Sequence, residues 1–191
     1  MIPVFLSTLI VCSTYSHEDV LWRAVVEDYV AKVHSVSDEE YDRAVETALR
    51  MLDIERELGI PEHMLGMSIA AASVESGFNP NARGDHKFSK YGRPKAIGIL
   101  QLWPWVERYG VNRSDLESST RFWLSHIVRT GNKTRRLCRP RSERRAWRQA
   151  WVTAVRAPKP GGRCFEKPKH WRPFLRIRKI YDSYKNGDYG C

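Results

Sequence analysis

Apolar residues recur along this chain at helical spacing, and strand-type alternation is nearly absent. Ser37 followed three positions later by Glu40 forms a capping box, and Tyr41, Val45, Ala48, Leu49 and Leu52 then keep one apolar face until Gly59. Pro61 opens a second predicted helix, which runs through Met64, Met67, Ile69, Ala70, Ala71 and Val74 and breaks at Gly77, with Pro80 beyond. It is apolar nearly all round, which places it centrally in a core, and its last turn carries Glu75. Ser114 and Glu117 read as a second capping box ahead of a helix reaching about Val128, with Phe122, Trp123, Leu124 and Ile127 inward. Two more helices are expected, from about Glu143 to Val155 and from about Trp171 to Tyr184. From Asn79 to Ala96 the chain is rich in Gly, Pro, Asn, Lys and Arg, so a long loop or a small irregular hairpin interrupts the helices. The expected fold class is mainly α.

Composition narrows this only a little. The 191 residues suit one ordinary domain, and 42% hydrophobic residues with seven Trp exclude an intrinsically disordered chain. Charge is the deviation. The net value is +10, and between Arg129 and Lys179 stand 18 basic residues against only Glu143 and Glu166, a field that attracts polyanions. The apolar run Met1 to Cys12, then Ser13 to Ser16, reads as a secretory leader over residues 1–16, too short to span a bilayer as a mature helix, so the protein is expected to be exported. Cys138 and Cys164 either form a disulfide, closing a loop of about 25 residues and contributing about 3 kcal/mol, or remain two buried thiols. The four Cys and six His make no metal-ligand pattern, and neither metal nor organic cofactor is implied.

Glu75 is the residue that needs explaining. Burial and the negative end of the helix dipole both disfavour its charge, so a raised pKa and a protonated carboxyl near neutrality are expected there. Such a group serves as general acid and, once ionised, as general base.

The residues around it, Val74-Glu75-Ser76-Gly77-Phe78-Asn79-Pro80-Asn81-Ala82, are followed by Ala96-Ile97-Gly98-Ile99-Leu100-Gln101-Leu102. Together they resemble the first two motifs of the soluble lytic transglycosylases, whose fold is shared with goose-type lysozymes. The resemblance implies a lysozyme-like helical domain over residues 17–191, with the long loop or hairpin flanking an active-site cleft. It also implies that Glu75 is the sole catalytic carboxylate, cutting the MurNAc–GlcNAc bond of peptidoglycan with formation of 1,6-anhydro-MurNAc ends. Substrate-binding roles fall on Ser76, Gly98 and Gln101, on Trp103 as a sugar-stacking ring beside Trp105 and Tyr109, and on Trp151, which stands where the family's third motif carries a Tyr. Asp85, the one acid between Glu75 and Glu107, either contacts sugar or positions a water for lysozyme-like hydrolysis. The third motif's surroundings in relatives also favour the Cys138–Cys164 pairing.

Peptidoglycan strands are therefore the expected partner, with anionic cell-wall polymers held by the basic C-terminal third; a monomer is expected, without nucleic acid. Two other readings are a muramidase that hydrolyses the same bond and a wall-binding module that has kept the groove but lost turnover. A basic nucleic-acid-binding protein explains the charge and leaves the residues around Glu75 unexplained.

Overall fold

The computed structural model describes residues 16–33, 37–88, 91–140, 142–155 and 168–187. The expected leader lies outside them except for Ser16, as does Cys164 of the expected disulfide. The chain is mainly α, with helices α1 (His17–Val33), α2 (Asp38–Glu57), α3 (Met67–Glu75), α4 (Leu116–Cys138), α5 (Glu143–Val155) and α6 (Trp171–Lys185). Strands β1 (Arg83–Gly84) and β2 (Ala96–Ile97) pair antiparallel, Arg83 opposite Ile97 and Gly84 opposite Ala96, so that of the long loop or small hairpin expected between α3 and α4 the structure has a two-stranded pairing.

Helix α1 went unnoticed in the sequence reading, although Trp22, Val25, Val26, Tyr29 and Val30 are spaced for one buried face. Its start is capped by Ser16, whose hydroxyl accepts from the Asp19 N–H at 3.1 Å. The Ser37–Glu40 capping box of α2 is formed as expected. The second box is not: Asp115 is the N-cap of α4, its carboxylate accepting from the Ser118 N–H at 2.7 Å, while Glu117 pairs with Arg50 and Arg121. Helix α4 also continues to Cys138, well past Val128.

The helix expected from Pro61 is divided. A short 3-10 turn, Glu62–Met64, ends at Leu65, and α3 begins only after Gly66 at φ +92°. Two features impose the break. The buried carboxylate of Glu55 on α2 accepts from the N–H of Gly66 (2.5 Å) and from the N–H and hydroxyl of Ser68 (both 2.6 Å), so it caps α3 from a neighbouring helix. A Cβ at Gly66 would press on the Ile177 side chain of α6.

Met67 to Ala72 of α3 are all buried, and α3 packs against α2 and α6, with α1 against α2 and α6 as well. Helices α4 and α5 pack on each other. The core joins all six helices, and a chain of rings (Trp123, Trp151, Trp171, Phe174) links α4, α5 and α6. Helix α3 is thus capped at its first turn by Glu55 and buried from Met67 to Ala72, and Glu75 stands at its opposite end.

Candidate active site

Glu75 is the last residue of α3, and its side chain retains 16% exposure at the floor of a cleft of about 390 Å³. The cleft gathers residues far apart in the chain. Gly84 ends β1 and Asp85 follows it, Leu100 to Trp103 follow β2, Trp105 and Val106 come from a 3-10 turn (Pro104–Tyr109), Phe122, Trp123 and His126 from α4, Ala154 from α5, and Lys169 from the turn before α6.

The carboxylate is held from one side. His170 Nε2 lies 2.7 Å and Lys169 Nζ 2.6 Å from the same oxygen, Oε1, while Oε2 has no partner among the described residues. Burial pushes the Glu75 pKa upward, yet the hydrogen bonds from His170 and Lys169, reinforced by their charges, outweigh it and hold the carboxyl below its ordinary value. This corrects the expectation of a raised pKa: helix position and burial act as argued, but two basic partners supplied by another part of the chain reverse the balance. At rest Glu75 is ionised.

His170 is 1% exposed and stacks on Trp151, with ring centroids 5.8 Å apart and planes tilted by 21°. Because Glu75 accepts, Nε2 carries a proton toward it, and Nδ1 is buried without a hydrogen-bond partner among the described residues. Trp151 itself is fully buried and absent from the cleft lining. Its assignment to substrate is therefore corrected: its edge and face are used by Trp123, His170, Trp171 and Phe174, and it fixes the imidazole that meets Glu75.

Ser76 and Gly98 are likewise framework residues. The Ser76 hydroxyl donates to the Ile99 carbonyl at 2.8 Å, tying the end of α3 to the turn after β2. Gly98 has φ +79°, and a Cβ would overlap the carbonyl oxygen of Arg113, so the close approach there is to backbone and not to ligand. Gln101 lines the cleft, but its amide nitrogen is committed to the Ala82 (3.0 Å) and Gly98 (2.9 Å) carbonyls, which leaves the carbonyl end for recognition beside Gly84.

Asp85 and Trp103 do face the cleft together. The Trp103 indole N–H donates to Asp85 Oδ2 at 2.8 Å, and Lys95 lies over the Trp103 ring at 5.6 Å. Trp103, Trp105 and Tyr109 are 37%, 43% and 54% exposed, large rings left in solvent. Trp105 meets Phe122 and His126 edge-on, Phe122 stacks on both Tyr109 and His126, and the four-residue step from Phe122 to His126 puts them on one face of α4. Burial and the nearby charge of Arg129 push His126 downward in pKa, so it joins this wall as a neutral ring.

Reading the sequence missed Lys169, His170, Phe122 and His126 as site residues. Helical spacing marked the α4 face, but His170 carries no local signal, since its partner is 95 positions away. No group of His, Cys, Asp and Glu able to hold a metal occurs among the described residues. Compared with known proteins, the chain matches no protein-family model, no curated protein and no solved structure.

Proposed function

We propose that this chain is an exported peptidoglycan lytic transglycosylase with Glu75 as its acid and base. The observation that carries the reading is the Glu75 carboxylate in a cleft walled by aromatic rings, its Oε1 held by two basic groups and its Oε2 without a partner among the described residues. Flat rings along the cleft and the Glu75 carboxylate among them suit a pyranose chain.

The reaction needs Glu75 protonated. Lys169 is the half-exposed partner and the one an entering glycan displaces; its departure removes one of the two groups that lower the Glu75 pKa and so favours uptake of a proton at Oε2. Oε2 then delivers that proton to the glycosidic oxygen as its bond to the MurNAc anomeric carbon breaks. The 6-hydroxyl of the same sugar forms the new bond to that carbon and returns its proton to Glu75. Atoms balance without water, and one carboxylate suffices. His170, locked on Trp151, keeps Oε1 in place throughout.

Asp85 in the same cleft supports a second reading, hydrolysis by a muramidase, in which it positions water. The two are separated by mass spectrometry of fragments released from purified peptidoglycan by wild type and Glu75→Gln. Anhydro-ended fragments from wild type alone are expected. Fragments heavier by one water would replace the lyase reading with hydrolysis, and release by Glu75→Gln equal to wild type would overturn both.

A further inference from the structure

A second cleft lies between α5 and α6 and shares no lining residue with the Glu75 cleft. It has a volume of about 410 Å³ and is lined by Ser142, Arg144, Arg145, Arg148, Trp171 and Leu175, with no acidic residue among them. The guanidinium groups of Arg144 and Arg148, one helical turn apart, stand over the Trp171 ring at 5.8 and 5.7 Å. Arg148 Nε is buried without an acceptor among the described residues. Burial, and then the charge of Arg145, lower the pKa of Arg148, so cations are crowded here against their own repulsion. Glu143, the one acid of α5, is committed to Arg135. Arg144 and Arg148, held together at a concave surface with a buried N–H to spare and no carboxylate partner among the described residues, describe an anion site awaiting its ligand.

We propose that this cleft binds the phosphodiester groups of an anionic wall polymer, a polyol phosphate. Phosphate chemistry follows from the guanidinium forks, which match its oxygens in pairs. Nucleic acid is disfavoured because a base needs an open ring to stack on; Trp171 is 7% exposed and two arginines occupy it. The choice of a wall polymer as source rests on the function proposed above.

The test is fluorescence polarisation with labelled poly(glycerol phosphate) at fixed low salt, comparing wild type, Arg144→Gln/Arg148→Gln and, as a pair of equal charge outside the cleft, Arg129→Gln/Arg136→Gln. The cleft pair should weaken binding about tenfold or more, since each charged hydrogen bond contributes that order. The exposed pair should weaken it about threefold or less. Arg144→Lys/Arg148→Lys keeps the charge without the fork and should fall between, which keeps the test valid if the Gln pair unfolds. Equal loss from both Gln pairs, or none from the cleft pair, overturns the site; single-stranded DNA displacing the polymer at lower phosphate concentration overturns its assignment to the wall. Polymer binding without glycan cleavage would instead sink the proposed activity and leave this site standing.

Discussion

Replacing Lys169 with methionine separates the electrostatic argument from the packing argument, because the side chain stays long and unbranched, one atom shorter, and loses the ammonium group. Nζ lies 2.6 Å from Glu75 Oε1. At that separation two unit charges attract by about 1.6 kcal/mol in a water-like dielectric and by roughly four times that at an effective dielectric of 20. The Lys169 side chain is 49% exposed against 16% for Glu75, so screening keeps the interaction near the lower figure. Burial raises the Glu75 pKa and the hydrogen bonds and charges of His170 and Lys169 lower it further than burial raises it. Removing one of the two lowering partners moves it upward. General-acid catalysis uses the protonated form, so kcat/KM falls as pH rises through this ionisation in the free enzyme. In Lys169→Met that fall should come at higher pH, and kcat/KM at neutral pH should rise by up to about fifteenfold, the rate equivalent of the lower figure. The assay is kcat/KM against pH on soluble peptidoglycan fragments, with Lys169→Arg as the control that retains charge. A limb that stays in place, or moves to lower pH, would refute the claim that Lys169 holds Glu75 ionised.

His170→Phe should keep the stack on Trp151 but lose the contact to Oε1; kcat is expected to fall roughly ten- to a hundredfold with the circular dichroism unchanged, the loss of one charged hydrogen bond. A kcat equal to wild type would reduce His170 to packing. Trp105→Ala should raise KM roughly three- to tenfold and spare kcat, measured on the same fragments. Glu55 has its pKa pushed up to about 7, chiefly by complete burial. A raised carboxyl pKa favours folding below the ordinary carboxyl range, so urea-unfolding stability should decline by at most about 3 kcal/mol as pH rises from about 4.5 to 7, and the decline should vanish in Glu55→Ala. That variant should also lose about 3 kcal/mol near pH 5, because three donors at the start of α3 are left without an acceptor.

The helical character was legible because periodicity is a local property: the apolar faces of α2, α5 and α6 and the turn-rich stretch that makes the hairpin lie where their own residues put them. Boundaries that failed did so for tertiary reasons. The break at Gly66 depends on the Glu55 carboxylate and on Ile177, neither of which is near it in sequence. Glu75 could be singled out from its helix and neighbours, and Asp85, Gln101 and Trp103 do stand with it in one cleft. Ser76, Gly98 and Trp151 turned out to be framework, because a hydroxyl, a glycine and an indole look alike in a sequence whether they meet a ligand or a backbone carbonyl.

What the sequence by itself determined was the fold class, the turn-rich interruption between helices and the place of a lone carboxylate at the end of a buried helix. The charge state of that carboxylate was decided only in three dimensions. Desolvation follows from burial and could be foreseen, whereas the opposing hydrogen bonds depend on Lys169 and His170 being folded back across more than ninety residues to within 2.6 and 2.7 Å, and electrostatic energy at such distances depends on position in space, not along the chain.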